Sequence, residues 1–149
     1  CGYSDDGDFV TGQVVRVDHA SGIARIMNAG HPLPILIRGG RAETVGLTPG
    51  FPFGVALDAE YHVQELELDV GDRLVFLTDG ILERNAANVN TIEVLTQTRE
   101  LHAREAVQAL TQAVVDACGG VLRDDATVLC VDWHGGPTGA RDASSGADQ

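Results

Sequence analysis

"GDRLVFLTDGILE", residues 71–83, decides how the rest of the chain is read. Gly71 and Asp72 turn the backbone. Arg73 to Thr78 then form a short apolar run bounded by turn residues, which predicts a strand buried on both faces. Next comes a carboxylate, Asp79, at the mouth of that apolar segment, with Gly80 directly behind it. A strand end is a rigid support, and it holds a ligand carboxylate better than a mobile loop does.

Working outward, the upstream chain reads as β structure. Phe9 to Val17 is valine-rich and alternates in part, so it predicts a strand. "HASG" (19–22) is a turn, and "IARIMNAG" (23–30) returns as the second strand of a hairpin. "LPILIR" (33–38) predicts a strand with Pro34 where no ladder donor is needed, closed by Gly39 and Gly40. "TPGFPFGV" (48–55) is too rich in Pro and Gly to be anything but a loop. "YHVQELELD" (61–69) alternates and turns through "VGD" into the 73–78 strand, continuing a series of hairpins.

Downstream the period changes. From Thr91 to Gly120, apolar residues recur in steps of three and four (Ile92, Leu95, Ala106, Val107, Leu110, Val114), the mark of amphipathic helix. Gly119 and Gly120 are stop signals. "ATVLCVDW" (126–133) is a final strand. The order predicts an α+β fold: a largely antiparallel sheet with two helices on one face. Residues 135–149 carry almost nothing to bury and are expected to be a disordered tail, leaving 1–134 as one domain.

The charge balance narrows the function. A formal net charge of −12 over 149 residues opposes nucleic acid and anionic membrane as partners. It suits a cation site, a basic partner or simple solubility. The three cysteines, Cys1, Cys118 and Cys130, make no metal-binding pair and no even disulfide framework. With no signal peptide and no apolar run near the roughly 18 residues of a membrane span, the cytoplasm is the expected location.

Two acidic sites stand at strand ends. Asp79 follows one strand, and Asp124 and Asp125 precede another. If those strands are antiparallel neighbours, both sites lie on the same sheet edge. Carboxylates held that close repel unless a cation lies between them, and hard divalent ions take such all-oxygen sets. The bland alternative is that Asp-Gly is a turn and Asp-Asp a solvated loop. Spacing alone leaves both readings open.

The order of segments adds to this. "NAGHPLPILIR", "GFPFGV", "GDRLVFLTDGILE" and "DDATVLCVDW" together resemble the SpoIIE-type serine phosphatases of the metal-dependent PPM superfamily, over residues 9–133. The resemblance implies that Asp79 and Asp124 are catalytic metal ligands, with Gly80 and Asp125 in support and Thr127 packing nearby. It implies Mn²⁺ or Mg²⁺, two ions in a complete domain, and metal-assisted hydrolysis without a protein nucleophile. Asn28, Gly30 and His31 would shape a hairpin loop. His19, His62, His102 and His134 would be surface residues, and Trp133 edge packing. The implied partner is a phosphorylated protein, an anti-sigma-factor antagonist, in bacterial signalling.

Relatives also carry an earlier acidic strand and a "GDxxGxG" segment that supplies a bridging Asp. Gly7-Asp8 runs straight into Phe9 and is read as a loop. The chain is therefore expected to be the C-terminal part of a catalytic domain, to bind metal weakly alone, and to expose a sheet face suited to a homodimer or to the missing N-terminal half. The competing reading is a catalytically inactive binding or regulatory module.

Overall fold

The computed structural model describes residues 7–82, 89–120 and 125–137. Among the described residues the elements follow in the order β1 (Gly12–Val17), β2 (Ile23–Ala29), β3 (Ile35–Arg38), β4 (Arg41–Thr44), β5 (Val63–Glu67), β6 (Arg73–Leu77), α1 (Thr91–Gln97), α2 (Ala103–Ala117) and β7 (Val128–Asp132). The five ladders between these strands are antiparallel, and the class is α+β as the sequence predicts. Most of the expected tail, from residue 138 onward, lies outside the described residues, as do Asp124 and Glu83.

The strands divide into two sheets, β1-β2-β5 and β4-β3-β6-β7. The helices cover the second, so the molecule has three layers. Alternation along β3 and β6 builds both interfaces between them. Ile35, Ile37, Val75 and Leu77 face the helices and pack with Ile81, Leu95, Leu110 and Val114. Leu36 and Leu74 face the other sheet and meet Ala24 and Ile26 of β2. Being buried on both faces is why β6 reads as an unbroken apolar run.

Two expectations change. The segments 63–67 and 73–77 are not a hairpin: β5 pairs with β2, and β6 pairs with β3 and β7. The connection between them crosses from one sheet to the other. Leu68 is tucked into the inter-sheet core, and the Asp72 carboxylate, 2% exposed, accepts from the Asp69 amide at 2.7 Å. Arg38 closes this corner with a hydrogen bond of 2.6 Å to Asp72. The second change is β4, which "RAET" gave no reason to expect. Gly39 and Gly40 take φ of 56° and 77°, the paired left-handed conformations of a two-residue hairpin turn, and fold β4 back on β3.

The long helical stretch breaks between α1 and α2. Arg73, at the start of β6, donates from Nη1 to the Thr98 carbonyl (3.3 Å) and from Nη2 to the Leu101 carbonyl (2.6 Å). It also forms a two-pronged pair with Asp132 of β7, at 2.6 and 3.0 Å. His102, read as a surface residue, caps α2: its Nδ1 accepts from the Arg104 amide, and Glu105 reaches back to the His102 amide.

One side of the sandwich stays open. Leu129 and Val131 share a face with Phe76 and Leu74, toward the three-stranded sheet, yet remain 56% and 38% exposed. A cavity of about 330 Å³ lies there, lined by Gln13, Val15, His31, Phe76 and Leu129.

Candidate active site

The β6–β7 ladder brings the acidic strand ends together. Leu77 pairs with Val128, and beyond that pair the Thr78 amide donates to the Thr127 carbonyl at 3.1 Å. The chain then leaves the strand and turns helical over residues 79–82, with the Ile81 amide donating to the Thr78 carbonyl at 3.0 Å. Ile81, 1% exposed, anchors this turn in the helix-facing core, while the Asp79 side chain faces water. An apolar anchor two residues away thus fixes the backbone that carries an exposed carboxylate.

Gly80 lies against the backbone of Asp125 and Ala126. A methyl group built on it would overlap the Asp125 carbonyl oxygen and lie 3.3 Å from the carbonyl carbon. Only a residue without a side chain lets the two segments approach this closely. Asp79 and Asp125 therefore sit on adjoining backbone at one sheet edge, both exposed. Asp124 is outside the described residues. Among the described residues no three His, Cys, Asp or Glu side chains gather into a metal cluster. The donors at this edge are carboxylates on a fixed frame, a set suited to a hard divalent ion.

The "NAGHP" corner is built by hydrogen bonds. Asn28, 6% exposed, donates to the His31 carbonyl and accepts from the His31 amide, each at 3.0 Å. The His31 ring lies 3.2 Å from the Thr11 hydroxyl. Trp133 packs against His19 at 5.8 Å between ring centroids, which places it at the β1–β2 turn.

A larger cleft, about 650 Å³, lies at the other end of β6. Its wall includes the Arg38–Asp72 and Arg73–Asp132 pairs. Hydrogen bonding to those carboxylates pushes both guanidinium pKa values up, so the cations are committed to their partners. That cleft is a product of the fold's ion pairs and is remote from Asp79.

Cys130, half-buried on β7, has its thiol pKa pushed up chiefly by burial, so it stays protonated at neutral pH. Iodoacetamide at pH 7.5 is expected to modify it much more slowly in the native protein than in urea. Equal rates, measured by peptide mass, would contradict this.

The family model described as stage II sporulation protein E (SpoIIE) matches residues 2–134. The chain belongs to the SpoIIE family. Its fold is shared with solved phosphatase domains of low sequence identity. The phosphatase domain of the cell fate determinant SpoIIE from Bacillus subtilis, presoaked with Mn, aligns with a TM-score of 0.65 at 21% identity, over 82% of this chain and 56% of that one. The SiaA-PP2C domain of Pseudomonas aeruginosa gives 0.69 at 19% identity, over 83% and 51%. The RsbU and RsbW domains of Rv1364c from Mycobacterium tuberculosis give 0.64 at 24%, over 80% and 35%. This SpoIIE-family chain therefore spans little more than half of the SpoIIE phosphatase domain it matches. Among proteins of curated function, none matches it.

Proposed function

We propose that the chain is the C-terminal part of a metal-dependent phosphoserine/phosphothreonine protein phosphatase. The observation that carries this is the contact of the Asp79–Gly80 turn with the Asp125–Ala126 backbone. Asp79 and Asp124 would hold Mn²⁺ or Mg²⁺ from opposite strand ends, with Asp125 in support. Held there, such ions would supply a water of lowered pKa and neutralise charge on the phosphoryl oxygens. Gly80 keeps the two backbones close, and Ile81 keeps the turn from swinging away. Two acidic groups hold two ions poorly, so the chain alone should bind metal weakly and turn over slowly.

The substrate class is a phosphorylated protein, and within the family reading an anti-sigma-factor antagonist of a bacterial cytoplasmic signalling system. Among the described residues no helix is long and apolar enough to cross a membrane. The open apolar side at Leu129 and Val131 suits further polypeptide, from a second copy or from the rest of a longer domain.

A second reading, an inactive binding module, draws on the absence of a third acidic donor at this edge among the described residues. Titration with Mn²⁺, followed by phosphate release from a phosphoserine peptide, separates the two. The enzyme reading expects Mn²⁺ binding that Asp79→Asn abolishes, with slow phosphate release. Absence of Mn²⁺ binding in the unmodified chain would leave the scaffold reading.

A further inference from the structure

We infer that the hydroxyl of Thr78 is a positioning group for the acidic edge that carries Asp79 and Asp125, acting as a latch between the two strand ends; this rests on the metal-dependent reading above. In a hydrogen-bonded antiparallel pair, each residue gives its amide to the other's carbonyl. Thr78 and Thr127 follow Leu77 and Val128 in register, and half of the exchange is intact: the Thr78 amide donates to the Thr127 carbonyl at 3.1 Å. The other half is replaced. The Thr127 amide donates to the Thr78 hydroxyl oxygen at 2.8 Å.

The replacement follows from where the chain goes next. The Thr78 carbonyl accepts from the Ile81 amide, opening the helical turn that carries Asp79 and Gly80. That carbonyl has left the ladder, and the hydroxyl takes its place. A threonine before a helical turn ordinarily uses its oxygen to cap that turn's own amides. Here the oxygen reaches across to the neighbouring strand. The hydroxyl also lies 3.5 Å from the Thr127 carbonyl oxygen, to which it donates. The latch thus lets β6 turn away while β7 stays zipped to it. It lies between Asp79, one residue along one strand, and Asp125, two residues back along the other.

The bond is at the surface, so water can replace much of its contribution to stability. Its effect on ligand placement is larger, because groups that orient metal ligands change affinity by about 10–100-fold when removed. Thr78→Val keeps the shape and removes the acceptor; Thr78→Ser keeps the acceptor. In Mn²⁺ titrations of the full chain read by electron paramagnetic resonance, Thr78→Val should bind about 10–100-fold more weakly than the unmodified chain. Its melting temperature without metal should move little, and Thr78→Ser should bind normally.

Unmodified chain that binds no Mn²⁺ would sink the metal reading and this inference together. Normal binding by Thr78→Val would overturn the latch alone, as would weak binding by both variants. If Thr78→Val does not fold, hydrogen exchange at the Thr127 amide of the unmodified chain decides the matter. Exchange should slow when Mn²⁺ is added, and an unchanged rate would overturn the inference.

Discussion

Arg73→Ala should lower the stability of the chain by about 3–5 kcal/mol, the usual cost of breaking a buried ion pair by removing one partner. At about 2–4 °C per kcal/mol for a chain of this size, that is roughly 6–20 °C in melting temperature. The Arg73 side chain is 7% exposed and Asp132 20%, so water cannot readily take the place of the guanidinium. The substitution strands three acceptors at once: the Asp132 carboxylate and the carbonyls of Thr98 and Leu101. Replacing both charged partners, as in Arg73→Met with Asp132→Leu, should recover part of the loss, since an apolar pair removes the stranded charge. Recovery stays partial because the two carbonyls remain unsatisfied. Urea unfolding of the three variants tests this. A single mutant as stable as the parent would show that the pair carries no net weight.

Gly80→Ala should abolish Mn²⁺ binding. Residue 80 lies in a helical turn, where alanine is ordinarily better than glycine by about 1 kcal/mol. The sign reverses here because the added methyl meets a backbone carbonyl, that of Asp125, and not the end of a flexible side chain. Something must move, and either movement separates Asp79 from the segment that carries the other acids. Gly46→Ala is the control, since a methyl at that position meets nothing within 4 Å. Calorimetric titration should find binding in the control and none in Gly80→Ala. Equal binding in the two would mean that the close approach does not matter for the ion.

The strands that were legible are those with apolar side chains to place. β6 declares itself because both its faces are covered, and β1 and β2 because theirs alternate about a four-residue turn. β4 was silent: Arg41, Ala42, Glu43 and Thr44 form an edge strand that buries little, so only the two glycines before it carried a signal. Pairing neighbours in sequence was the wrong rule for β5 and β6. Their burial patterns differ, one alternating and one continuous, and that difference is the trace of two sheets in the primary structure. At the candidate site, the acids at strand ends could be picked out by residue type. Gly80 meets Asp125 through backbone atoms, which no side-chain pattern encodes. Arg73 escaped notice because its partner Asp132 is far away in sequence and an arginine at a strand start looks solvated. His102 escaped because histidine is not among the favoured capping residues.

The β6–β7 pair is fastened at both ends, by Arg73 with Asp132 at one and by Thr78 with Thr127 at the other. It therefore works as a ruler of fixed length. A slip of one residue would exchange the helix-facing and sheet-facing sets of side chains; a slip of two would restore the faces but slide Asp79 about 7 Å past its counterpart. Insertions and deletions should accordingly be excluded within this span, because its length sets the gauge of the acidic edge.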